Sequence, residues 1–288
     1  MHFYDGVLII DKVILTSNQK RNAYVYSDFW ERSGQVIKYD RLTHEDELLA
    51  SWRREFSEGV LLDAGCGSGR HLIHWTQPDV KADSFIMVDI SDSIFQCRQF
   101  YEELKCKKPI LFIQSAICNM PIKEKTISNT WSSGVVGLID DQQGALKKLL
   151  LITKKHFFFG VLSEKTIAGK LYIAANCFKP ILNKINKMSI LFIIALFVAK
   201  IVLNTLKILN WLNITLSFIR KDHLINIVED PKSVTRLQHS IYDPIIIPKI
   251  IKHKDSDYIN WANQSNFTLK THQTEIICDY FHFEGANE

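Results

Sequence analysis

"VLLDAGCGSGR", residues 60–70, decides how this chain is read. An apolar run ends in Asp63 and then meets glycines at 65, 67 and 69, with one residue between each pair. Glycine lacks a Cβ and tolerates positive φ, so this spacing lets something approach the backbone closely at the end of a buried strand. Outward from it, apolar runs alternate with amphipathic segments. Strands are expected at 60–64, 84–89, 110–115, within 129–137 and at 156–162, with helices at 70–75, 93–105 and 142–152. Most of the runs lack polar alternation, as parallel strands buried on both faces do. Strand–helix alternation of this kind predicts an α/β fold with a mostly parallel sheet covered by helices.

The flanks read differently. "LTHEDELLASWRREF" (42–56) looks helical, with Thr43 and Asp46 in an N-terminal capping pattern. Residues 1–41 are aromatic-rich and show no clear period. From Ile167 to about Arg220 helices are expected, broken near Pro180. A short helix at 255–266 then precedes two strands around a polar turn within 267–283.

The totals suit such a fold. The chain has 288 residues, 47% of them apolar, which is ample for a core and excludes wholesale disorder. A net charge of +4 is too mild to imply nucleic acid. The six cysteines form no C-x-x-C pair and show no metal-ligand spacing. They read as reduced thiols of a cytoplasmic protein. The opening "MHFYDGVLIIDK" has no basic stretch or long apolar run, so no signal peptide is expected.

In an open parallel sheet, ligands bind beyond the carboxyl ends of the strands, where the three glycines fall. A dinucleotide loop has G-x-G-x-x-G, but Arg70 stands at its third glycine position, and a Walker loop's G-K-[ST] is missing. Asp63, just before the loop, would repel a pyrophosphate and suits a cationic ligand. "VLLDAGCGSGR" resembles motif I of the class I S-adenosylmethionine-dependent methyltransferases. "FIMVDIS" (85–91), "FIQSAICNMPI" (112–122) and "TWSSGVVGLIDD" (130–141) are similar, in order, to the family's next three strand segments. The resemblance covers residues 58 to about 152. It implies a Rossmann-like, seven-stranded, mostly parallel sheet and S-adenosylmethionine as cofactor.

The resemblance also implies site residues. Gly65 and Gly67 would carry the cofactor's methionine end, with Cys66 and Gly69 in the same loop. Asp63 would anchor loop amides or the amino group through water. Asp89 would accept from both ribose hydroxyls. Ile90 and Ile117 would pack on the two adenine faces, with Ala116 and Ser133 also at the site. Ala116 stands where the family usually has Asp, Gly137 and Leu138 where it commonly has histidines, and the usual glycine pair before the fifth strand is missing.

Methyl transfer from a sulfonium is an in-line displacement that depends mainly on positioning, so no catalytic motif is required. The base is unknown; Asp140, His74 and Tyr242 are the candidates, with Asp140 and Asp141 reading more simply as a helix N-cap. "SIYDPIIIP" (240–248) resembles a subgroup, methyltransferase type 11-like, with an apolar helical insertion after the fifth strand. The resemblance implies a small-molecule, sugar or lipid-linked acceptor, with Tyr39, Asp40, His239, Tyr242 and Asp243 lining its pocket. Taken singly, Tyr242 and Asp243 read more simply as a turn before Pro244.

The insertion has an apolar run from Met188 to Ala199 that Lys200 ends, short of the roughly 20 residues that span a bilayer. Every charged residue from Lys165 to Lys221 is basic. A helical lid over the acceptor pocket is expected, with contact to an anionic membrane surface as its rival. The expected organisation is a cap at 1–57, a cofactor-binding core at 58–165, the insertion at 166–222 and a completion of the sheet at 223–288. The expected function is methyl transfer in the cytoplasm, at the inner face of a membrane if the insertion meets lipid. The competing reading is a non-catalytic scaffold of the same fold.

Overall fold

The computed structural model describes residues 1–10, 15–38, 44–166, 170, 188–211, 234, 238, 241–242, 246, 253–274 and 278–286. Among the described residues, nine strands form one sheet in the order β1-β2-β5-β4-β3-β6-β7-β9-β8. The central strands are β3 (Val60–Ala64), β4 (Ser84–Asp89), β5 (Ile110–Gln114), β6 (Ile127–Ser133) and β7 (Thr153–Leu162). They run parallel, with β3 between β4 and β6. The strand order reverses there, which makes the carboxyl end of β3 the topological switch point. β8 (Phe267–Thr274) and β9 (Cys278–Gly285) form the expected antiparallel pair beside β7.

Alternate side chains of each strand feed two cores. Leu61, Phe85 and Phe158 face one layer, with Leu49 and Trp52 of α2 (His44–Trp52), Trp75 of α3 (Leu72–Trp75) and Phe100 of α4 (Ser93–Leu104). Leu62, Val88, Phe157 and Phe159 face the other, with Leu146 of α5 (Gln142–Ile152) and Tyr258 of the Asp255–Asn263 helix. This two-sided burial is why the strands lack polar alternation.

The N-terminal region departs from expectation. β1 (His2–Tyr4) and β2 (Val7–Ile9) form a hairpin, and β2 pairs parallel with β5, so the sheet has nine strands rather than seven. A 22-residue helix, α1 (Ser17–Lys38), follows. Its start carries a reciprocal cap: the Gln19 amide donates to Thr16 Oγ1 at 3.1 Å, and the Thr16 amide donates to Gln19 Oε1 at 2.9 Å. That T-x-x-Q signal is legible in the sequence. The apolar period is blurred because α1 buries two faces: Val25 and Phe29 on one side, Tyr26 and Trp30 nearer the switch point.

The insertion holds α6 (Met188–Trp211), a continuous 24-residue helix that passes straight through Lys200. The apolar run is therefore longer than its first charge suggests. The Asp255–Asn263 helix is α7.

Candidate cofactor and active site

A cleft opens at the carboxyl ends of β3, β4 and β6, enclosing about 890 Å³ including open solvent. Its floor is the glycine loop. Gly65 and Gly67 have φ of +86° and +55°, and both line the cleft. The Gly65 and Cys66 amides are tied down by Val88 O at 2.7 and 3.0 Å. A Cβ on Gly65 would lie 2.2 Å from Val135 Cγ2, and one on Gly67 would lie 2.7 Å from the Trp30 indole. Only glycine keeps this backbone flush with the cleft. Gly65→Ala is expected to cost at least about 2 kcal/mol, from the left-handed backbone and the overlap with Val135. Urea unfolding measures it, and Val135→Ala in the same chain should recover only the steric part.

Asp89, at the tip of β4, holds the loop and faces the cleft. Its Oδ2 accepts from the Gly67 amide at 2.8 Å, and its Oδ1 accepts from the Ser91 amide at 2.8 Å and the Ser91 hydroxyl at 2.6 Å. Three of roughly four acceptor positions are thus used within the protein. Ser91 Oγ also lies 2.5 Å from Ser93 Oγ. The Ser91 proton can turn to Ser93 and release Oδ1 to an incoming hydroxyl. Burial pushes the Asp89 carboxyl above the ordinary carboxylate range, against the hydrogen bonds from Ser91 and Gly67.

Ile90, Ala116 and Ile117 form the adjoining wall, and Ser133 lies on the β6 side. The Ser115 hydroxyl donates to Ala116 O at 3.0 Å, which leaves its lone pairs available beside the position that lacks the usual Asp. Ser133 Oγ is 3.4 Å from the Tyr280 hydroxyl.

Three residues expected at the cofactor lie off the cleft. Asp63 is 1% exposed and sits beneath the loop, where its Oδ2 accepts from Trp75 Nε1 at 2.9 Å and lies 3.6 Å from His71 Nδ1. The loop amides go to Val88 and Asp89 instead. Cys66 is buried, its Sγ 3.7 Å from Gly67 O, and burial raises its thiol well above normal. Gly69 turns toward α4, where a Cβ would meet Cys97 Sγ at 2.7 Å. The β3-to-α3 turn rotates alternate residues into the protein, so the motif's spacing alone does not say which of them face a ligand.

Of the three base candidates, only Asp140 lines the cleft, and it is exposed. Asp141 caps α5 by accepting from the Gly144 amide at 2.8 Å. His74 lies on α3 against Trp75 and does not line the cleft. Tyr242 is fully buried in the core between α1 and α6, its hydroxyl donating to Asp28 Oδ2 at 2.7 Å; burial and Asp28 push its phenol far above normal. It is a packing residue. Tyr39, Asp40, His239 and Asp243 lie outside the described residues, as does Thr43 of the expected cap.

Sequence reading expected a cap at 1–57 but did not name the α1 residues that line the cleft. Gln19, Asn22, Tyr26 and Trp30 of α1 all line the cleft. Asn22 Nδ2 donates to Leu138 O at 3.0 Å, while its Oδ1 is buried with no hydrogen-bond partner. A buried acceptor without a donor is costly, and a ligand amino group would satisfy it. The Asp92 amide donates to Ser27 Oγ at 3.0 Å and pins α1 across the start of α4.

A glycine floor, an acid at the second strand tip, an apolar wall and an orphaned acceptor fit a ligand with a ribose, a flat base and an amino group. Residues 62–158 match the family model described as a methyltransferase domain. The chain carries a class I methyltransferase domain, and S-adenosylmethionine is its cofactor. It is a methyltransferase enzyme.

Solved structures share the fold at low identity. Magnesium protoporphyrin IX methyltransferase from Synechocystis PCC 6803, solved with bound S-adenosylmethionine, is 10% identical with a TM-score of 0.55, over 96% of this chain and 100% of that one. A chain from the complex of the Haloferax volcanii Trm112 methyltransferase activator with a methyltransferase is 10% identical with a TM-score of 0.53, over 91% and 98%. The pyocyanin biosynthetic protein PhzM is 10% identical with a TM-score of 0.50, over 92% and 62%.

Proposed function

We propose that this chain transfers the S-adenosylmethionine methyl group to a small organic acceptor, lipid-linked or amphiphilic in character, held between Asp140 and the α1 roof. The observation that carries the reading is the tie between loop and acid, in which Gly67 and Ser91 fix Asp89 at the cleft wall. The bound cofactor supplies an activated methyl on a sulfonium. The protein's residues do the rest by holding and orienting. Asp89 accepts hydrogen bonds from the ribose hydroxyls, Ile90 and Ile117 sandwich the adenine, and Asn22 Oδ1 accepts a hydrogen bond from an amino group. Tyr26, Trp30, Val135 and Leu138 exclude water from the reacting end. Asp140 stands at the exposed mouth, where it can accept the acceptor's proton.

The mostly apolar lining favours an apolar acceptor over a free sugar. Location at the inner face of a membrane in the cytoplasm belongs to the same reading. Isothermal titration with S-adenosylmethionine and S-adenosylhomocysteine tests it. Micromolar binding of both is expected, and a folded chain that binds neither removes the reading.

A further inference from the structure

Helix α6 is wide open on one side. Ile193, Phe197 and Ile201 are 62%, 65% and 51% exposed, and Ile190, Ile194 and Ile208 extend the same face. The other side is a buried line, Leu191, Ala195, Ala199, Leu203 and Leu206, at helical spacing along most of its length. The helix is therefore docked on its own protein lengthwise, over about 22 Å at 1.5 Å per residue. Among the described residues it is the one helix long and apolar enough to cross a membrane. A spanning helix, however, would have to leave the protein that covers its buried line.

The charges point to what covers the open side. Lys200 and Lys207 are both exposed and fall together on one edge of the apolar face, seven residues and two turns apart. No acid occurs anywhere from Lys165 to Lys221. Apolar side chains flanked by a basic edge are what an in-plane helix presents to anionic lipid, with the lysines reaching the headgroups.

We infer that α6 lies in the plane of an anionic bilayer surface, inserting Ile193, Phe197 and Ile201 among the acyl chains while Lys200 and Lys207 meet headgroup phosphates. The contact has a consequence for the acceptor. Leu191 and Ala195 pack with Val25 and Phe29 of α1, whose adjoining residues Tyr26 and Trp30 touch the same core and also wall the cleft. Asp28 of α1 is bridged to Tyr242 in the same core, and the Arg32 guanidinium lies 5.3 Å over the Phe192 ring. The helix that meets the bilayer thus packs directly on the helix that walls the cleft. This deepens the proposed function by making its acceptor a membrane-partitioned amphiphile.

Flotation of the purified full chain with vesicles tests the surface. Phosphatidylcholine vesicles containing a third phosphatidylglycerol should carry the protein up the gradient, and phosphatidylcholine alone should bind about tenfold more weakly. Ile193→Glu with Phe197→Glu should weaken binding to the anionic vesicles about a hundredfold. Lys200→Glu with Lys207→Glu, both exposed, should weaken it at least tenfold and keeps the test readable if the first pair disturbs folding. Titration with S-adenosylmethionine without vesicles reports the cofactor site separately and should be unchanged by the lysine pair. The inference is overturned if wild type does not float or binds both vesicle types equally. It is also overturned if carbonate fails to release the protein, which marks a span. Sedimentation showing a vesicle-independent dimer that the glutamates dissociate would assign the face to a second copy instead.

Discussion

Asp89→Ala is expected to raise the dissociation constant for S-adenosylmethionine at least about 100-fold while the chain still folds. Each hydrogen bond from a ligand hydroxyl to a carboxylate contributes about 1.5–3 kcal/mol, and about 3 kcal/mol is a factor near 100. The variant also releases the Gly67 amide from Oδ2, so the loop loses its clamp as well as the ligand its acceptor. Asp89→Asn keeps the shape and one oxygen and should lose less. Calorimetry on both variants, beside far-ultraviolet circular dichroism, checks it; retained affinity in the alanine variant ends the assignment of Asp89 to the ribose. The raised Asp89 carboxyl adds a pH signature. Protonation removes an acceptor, so cofactor affinity should begin to fall on acidification above the pH at which an ordinary carboxylate titrates.

Acid should also destabilise the fold through a buried histidine that does not line the cleft. His282 on β9 is 2% exposed, stacked on Phe158 with ring centroids 4.1 Å apart, and its Nε2 lies 3.2 Å from His156 Nδ1 across the strand pair. Burial, then the neighbouring His156, pushes its imidazole down to about 4, and burial lowers His156 too. The unfolded imidazole has its ordinary value of 6.5, so between about 6.5 and 4 the unfolded chain binds more protons. Stability is full above that window and is lost as pH falls through it, by about 3 kcal/mol at 1.36 kcal/mol per unit. His282→Phe preserves the stack and removes the titration. Urea unfolding at neutral pH and near pH 4 should show a shallower loss in the variant by about that amount. Asp89, with its raised carboxyl, acts in the opposite sense, so the difference between the two chains isolates His282. Equal losses in both would assign the acid sensitivity elsewhere.

The parallel core was legible because its strands are buried on both faces, and continuous apolar runs such as 84–89 have one reading when helices separate them. The glycine loop and Asp89 were legible for a related reason: a backbone that must run flush with a cleft admits only glycine at Gly65 and Gly67, and the strand tip fixes where the acid stands. The β1–β2 hairpin was not legible, because its three-residue strands are too short to show a period. Nor was α1, which buries two faces and so hides its helical repeat, although Thr16 and Gln19 mark its start.

Local sequence therefore determined the sheet, the loop and the acid, since each depends on residues within a few positions of one another. Tertiary structure decided the rest. It turned Asp63 toward Trp75 and Gly69 toward Cys97, placed Tyr242 in a core instead of a pocket, and laid α1 over the cleft with α6 packed beside it. These depend on contacts such as Tyr242 to Asp28, 214 residues apart. Periodicity along a chain reports which faces are buried, not which distant segment buries them.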